Sequence, residues 1–173
     1  QMFSWEGTKL VNKTSQWFAG GSNTILGTDP NIMIEDFFHT GKKDLFVAPS
    51  TDMQTYGPAY LFKNTGSSFN RSTVNLGANV WAHGATAASL NKDGWLDVVL
   101  SDYGTNTTIL KNNHVDGFTA YQAIAGADGK KDLRWGGSSI AVNDYLGNGK
   151  TQLVVTDNGC EAAACSSSTN IHM

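Results

Sequence analysis

The chain has 173 residues, 40% of them hydrophobic, which is enough for one domain with a substantial core. Its 12 Lys and Arg are scattered and set against 15 Asp and Glu for a net charge of −3, which excludes the electrostatic footprint of a nucleic-acid binder. No run of about 18 apolar residues occurs, so no membrane-spanning helix is predicted.

From the N-terminus, Met2–Thr8 reads as the remainder of a β-hairpin, and Asn12 opens the first of three N-glycosylation sequons. An aromatic and small-residue segment follows at Trp17–Gly21. Next comes a turn at Asp36–Asp44, leading into the apolar strand Leu45–Val47. A hairpin is predicted over Tyr60–Phe69, from apolar runs joined by Asn, Gly and Ser, with a second sequon at Asn70.

The same order then repeats. Trp81–Gly84 is followed by a turn at Ser89–Asp97, the strand Val98–Leu100, a third sequon at Asn106 and a hairpin over Thr108–Phe118. Trp135–Gly137 precedes a third turn at Asp144–Gln152 and the strand Leu153–Val155. Three sequons are what a chain rich in Asn, Ser and Thr reaches by chance, so they carry little weight.

Cys160 and Cys165, in a Gly- and Ser-containing stretch, form either a local disulfide or a pair of free thiols. Their spacing fits neither a zinc site nor a redox motif. A disulfide would imply an oxidising compartment. At the other end Thr169–Met173 resembles the start of the Thr108 hairpin strand, and the chain opens on Gln1. The two ends read as starting and stopping inside a repeat, and the Gln1 start suits a processed secreted protein or an excised fragment.

The three turns recur at an interval of roughly 54 residues, with short β-rich runs and no sustained helical periodicity. The expected fold is all-β. A unit of this length with about four short strands is the size of one β-propeller blade, and residues 1–173 are read as a single repeat domain of about three such blades. A propeller typically has about 4 to 8 blades, so three imply an incomplete ring or one completed by oligomerisation. Open strand edges at the ends would recruit another strand.

Each turn shares a grammar: oxygen-bearing residues on alternate positions, Gly at the sixth, and an acid or amide at the ninth. In the middle copy Ser89, Asn91, Asp93 and Asp97 offer side-chain oxygens and Trp95 its carbonyl. A tightly curled loop converges such groups on one point, and calcium accepts irregular oxygen cages of this kind. The outer copies are eroded, with Phe38 at a ligand position in the first and Leu146 and Gln152 in the third. The competing reading is a metal-free curl held by Asx-type hydrogen bonds.

The motif Asn91–Val99, its degenerate partners and the Lys111–Phe118 hairpin resemble the FG-GAP/VCBS repeats. The resemblance covers most of the chain. It implies integrin-α-like propellers with calcium-binding loops, found in cell-surface proteins, adhesins, fungal lectins and accessory domains of secreted enzymes. It therefore implies an extracellular, secreted or cell-surface location. Ser89 departs from the family's acidic first position, and three repeats are visible.

No nucleophile elbow, zincin motif or phosphate-binding loop is present, so no enzyme is expected. Of the four dispersed histidines His83 is the most suggestive, though a packed histidine explains it more simply than a general base. Paired carboxylates for glycoside cleavage are not legible in sequence. The leading expectation is a calcium-stabilised binding or adhesion module for glycan or cell-surface protein. Trp5, Trp17, Tyr56, Trp81, Trp95, Tyr103 and Trp135 are its candidate contact aromatics. Repeated tryptophans such as Trp81 and Trp135 also suit an inter-blade core. The alternative is a structural subunit of an extracellular fibre or ring, built by strand or blade completion between chains.

Overall fold

The computed structural model describes residues 1–18, 31–49, 57–77, 80–102, 107–121, 137–157 and 170–172. Within them the chain is all-β apart from one short helix. A hairpin comes first, β1 (Phe3–Glu6) with β2 (Lys9–Asn12), followed by α1 (Thr14–Trp17). Two four-stranded antiparallel sheets come next. One contains β3 (Ile32–Glu35), β4 (Asp44–Val47), β5 (Ala59–Asn64) and β6 (Phe69–Val74). The other contains β7 (Ala82–Ala88), β8 (Asp97–Asp102), β9 (Thr108–Asn112) and β10 (Phe118–Tyr121). A three-stranded sheet of β11 (Gly137–Asn143), β12 (Gln152–Asp157) and β13 (Asn170–His172) completes the order.

Every sheet is a simple meander in which each strand pairs with its chain neighbour. Successive residues of a strand point to opposite faces, so the continuous apolar runs of the second strands can bury both faces. Along β4, Leu45 and Val47 turn to one side while Phe46 turns to the other. The opposing residues of β3 follow the same alternation, since Ile32 pairs with Val47, Met33 with Phe46 and Ile34 with Leu45.

The cores lie between successive sheets. The largest joins the β3–β6 sheet to the β7–β10 sheet through Phe37, Phe46, Leu61, Leu100 and Leu110, all fully buried. Phe118 fits this core edge-on, meeting Phe37 at 5.4 Å and Phe46 at 5.5 Å with the rings near perpendicular. Burying each such side chain contributes about 1.5–3 kcal/mol. A smaller core of Val99, Ile109, Ile140, Val142 and Leu153 joins the second sheet to the third. On the N-terminal side Met2, Trp17 and Phe18 cover Val47, Phe62 and Phe69. The first strands of consecutive sheets lie against one another, β3 on β7 and β7 on β11.

Residues 36–44, 89–97 and 144–152 each run from the first to the second strand of their sheet. The predicted hairpins are β5–β6 and β9–β10. The aromatic segments ahead of the turns are not equivalent. Trp17 sits in α1 with its ring 6.4 Å from Phe69, whereas Trp81 immediately precedes β7. Between Ala82 and Gly84 the β7–β8 register shifts, which makes His83 the extra residue of a β-bulge. The β11–β12 pair shifts at the matching place, between Gly137 and Ser139.

Candidate functional site

The three turns share one backbone path. Their sixth residues, Gly41, Gly94 and Gly149, have φ of 75, 87 and 77°. Their fourth residues are also left-handed, His39 at 53°, Lys92 at 63° and Gly147 at 62°. Two reversals within three residues curl the loop, and glycine adopts the more strongly positive of them without strain.

The first residue of each turn closes the curl. Asp36 accepts the amides of Thr40 at 2.9 Å and Gly41 at 2.8 Å, and Asp144 accepts those of Asn148 at 3.1 Å and Gly149 at 2.8 Å. Ser89 does the same with one oxygen, its Oγ taking the Gly94 amide at 3.0 Å. In the outer copies the Asx-type bonds envisaged from sequence hold the curl. The ninth residue ties the turn to the sheet. Asp97 is buried, with Oδ1 accepting the Asn112 amide at 2.9 Å and Oδ2 the Leu90 amide at 3.3 Å. Asp44 takes the Asn64 amide at 2.8 Å. Burial pushes the Asp44 carboxyl up, an effect its bond from Asn64 only partly offsets and the charge of Asp36 reinforces.

In the middle turn the candidate ligands Ser89, Asn91 and Asp93 come together. Asn91 Nδ2 donates to Asp93 Oδ2 at 2.7 Å, and Ser89 Oγ lies 3.4 Å from Asp93 Oδ1. Trp95 donates its amide to Asp93 Oδ1 at 2.8 Å, and His114 Nε2 lies 3.0 Å from Oδ2. The bond from Asn91 first, then the Trp95 amide and His114, hold the Asp93 carboxyl below its ordinary range. Asp97 stands apart from this trio, at the base of the turn. An exposed carboxylate, an amide and a hydroxyl within mutual reach suit a hard cation in donor chemistry. Among the described residues no cluster of three or more His, Cys, Asp or Glu side chains forms a denser site.

Sequence reasoning missed a stack of rings at this turn. His39 stacks on Trp95 at 4.4 Å between centroids and His114 stacks on it at 4.8 Å, each nearly parallel to the indole. Trp95 thus carries two stacked imidazoles. Both histidines have positive φ, a conformation that Asn, Asp and His adopt more readily than most residues. That histidine appears twice near loop glycines was the available signal.

The other candidates are dispersed. Trp5 is exposed on the face of the first hairpin that carries Phe3 and Leu10. The rings of Trp81 and His83 lie near perpendicular with 4.6 Å between their centroids. Asn12 is exposed at the end of β2, its Oδ1 accepting the Thr14 amide at 2.9 Å, and Asn70 is exposed on β6. Asn106, Cys160, Cys165, Tyr56, Tyr103 and Trp135 lie outside the described residues.

Meandering four-stranded sheets, stacked face to face with a curled turn at the same place in each, define an all-β repeat protein of propeller-type blades. The FG-GAP-like repeat family model matches residues 36–100, so this segment, from the first turn through most of β8, is similar to an FG-GAP-like repeat. No curated protein matches the chain. FG-GAP repeats are typical of extracellular proteins, are generally non-enzymatic, and suggest an integrin-like adhesion or binding module. Among the described residues no helix is long and apolar enough to cross a membrane.

Proposed function

We propose that this chain is an extracellular, non-enzymatic binding or adhesion module, stabilised by calcium at its middle turn, that recognises glycan or protein ligands through its blade loops. The convergence of Ser89, Asn91 and Asp93 inside an FG-GAP-like repeat carries the reading. With calcium bound, Ser89, Asn91, Asp93 and the Trp95 carbonyl would hold it. Asp97 would neutralise charge from the base of the turn. The ion would supply electrostatic cross-linking of an exposed loop. The stacked His39 and His114 leave Trp95 as a brace, so exposed aromatics such as Trp5 are the better ligand contacts. Calorimetric titration with calcium, followed by a glycan array with and without the ion, tests both parts. No heat at millimolar calcium would remove the stabilising role, and an array silent in both conditions would remove the glycan ligand.

A second reading, assembly by blade completion between copies, is favoured by one observation. Ala85 and Ala87 on β7, and Ile140 and Val142 on β11, pack at the cores facing the preceding sheet. Their equivalents Ile32 and Ile34 on β3 are 53% and 57% exposed. The β1–β2 hairpin leaves this inner part of the face open. Continuing the blade-on-blade interface would place the inner strands of a second copy there. Light scattering on the intact chain and on Ile34→Lys tests it: a concentration-dependent oligomer lost in the variant supports the reading, and a monomer throughout removes it.

A further inference from the structure

We infer that the fourth residue of the first and of the second repeat turn is a forward clasp, a positioning side chain that fixes the sixth residue of the next repeat's turn. The contact occurs twice between equivalent atoms. His39, fourth in the first turn, places Nε2 3.2 Å from the carbonyl oxygen of Gly94, sixth in the second. Lys92, fourth in the second turn, donates its ammonium to the carbonyl oxygen of Gly149, sixth in the third. A carbonyl only accepts, so the His39 contact requires the proton on Nε2.

The two side chains differ in length, shape and chemistry, yet each reaches the same backbone atom one repeat onward. What they share is backbone conformation. A left-handed fourth residue is strained for any side chain beyond glycine, and the third turn places Gly147 there. His39 and Lys92 are both exposed, so burial does not compensate for that strain. The clasp does. Each clasped glycine is then held on both sides, its amide by the first residue of its own turn and its carbonyl by the preceding repeat. His39 adds a ring on Trp95, the residue after the clasped Gly94.

The relay has a direction. Repeat one braces repeat two and repeat two braces repeat three, while Gly147 has no side chain to pass it on. In a repeat array stability is a sum of intrinsic and nearest-neighbour contributions, and the clasp adds a neighbour contribution at the loop end of the sheets, away from the apolar cores. The inference stands whether or not a cation occupies the middle turn.

The test uses substitutions for which idle and clasping side chains predict opposite signs. If the side chains did nothing, His39→Gly and Lys92→Gly would relieve strain and raise Tm. The clasp predicts a lower Tm in each, by about 2–4 °C if roughly 1 kcal/mol is lost from a chain of this size. It also predicts where protection falls: amide exchange speeds several-fold at Gly94 and Trp95 in His39→Gly, and at Gly149 and Lys150 in Lys92→Gly. His39→Lys, which gives the first turn the residue the second uses, restores slow exchange at Gly94. A rise in Tm, a change confined to the mutated turn, or His39→Lys behaving like His39→Gly overturns the proposal.

Discussion

Asn112 gives its backbone amide to Asp97 Oδ1 at 2.9 Å, closing the middle turn onto the strand that follows it in the sheet. Its side chain then spans two repeats, Nδ2 donating to Leu96 O at 3.2 Å within its own repeat and to Phe37 O at 2.8 Å in the one before. Asn64 is its counterpart in the first sheet, donating its amide to Asp44 and Nδ2 to Lys43 O at 3.0 Å.

Asn112→Ala leaves two carbonyls short of a donor, at least one of them in a buried setting, and each group so stranded costs about 1–3 kcal/mol. The expected loss is about 2–3 kcal/mol in urea unfolding, and Asn64→Ala is expected to lose less. Equal losses would mean that the bond to Phe37 adds nothing across the repeat boundary.

Asp44 is 1% exposed and its Oδ2 has no hydrogen-bond partner among the described residues. Its carboxyl is pushed up by burial, so the folded chain binds that proton more tightly than the unfolded chain does. Stability from this group therefore increases as pH falls through its folded pKa toward the unfolded value near about 4. Asp44→Asn should flatten this part of the stability profile. An unchanged slope between neutral and mildly acidic pH in the variant would assign the effect elsewhere.

Asp93 has the opposite sign. Its carboxyl is held low by donors in the folded turn, so its contribution is present above the ordinary carboxylate pKa and is lost as pH falls through the depressed value. Being exposed, it should loosen the turn locally without global unfolding. Trp95 fluorescence should report this below about pH 4. Asp93→Asn should remove that transition and should also abolish calcium heat if the proposed ion binds there.

Much of the architecture was legible because a repeat states its period three times. The position of each turn, the strand after it and the two hairpins all follow from glycine spacing and apolar runs. The stack of His39, Trp95 and His114 was not legible, because its rings come from two repeats and meet only when the sheets pack. The ninth residue shows why chemistry is harder to read than fold. Asp97 has the composition of a cation ligand, yet both its oxygens serve backbone amides, one from Leu90 and one from a strand fifteen residues on. The clasp was hidden for the same reason. His39 and Lys92 share no chemical type, only a backbone conformation that sequence does not display.

Gly94→Ala isolates backbone strain, since a Cβ there would meet nothing within 4 Å while φ is 87°. The expected cost is about 1–2 kcal/mol. A variant as stable as the parent would mean that the curl relaxes without its left-handed sixth residue.

Leu100 and Val99 are adjacent on β8 and fully buried, but they face different neighbours. Leu100 lies in the core shared with the first sheet, and Val99 in the one shared with the third. Among the described residues each of these two cores joins neighbouring sheets, so damage should stay at the boundary where it is made. Leu100→Ala should cost about 2–5 kcal/mol and Val99→Ala less, since fewer methylenes are removed. The location matters more than the size. Hydrogen exchange should lose protection on β3–β5 in Leu100→Ala and on β11–β12 in Val99→Ala. Uniform loss across all sheets in both variants would show that the repeats unfold as one unit, and that the two cores are energetically a single core divided only by the plane of the second sheet.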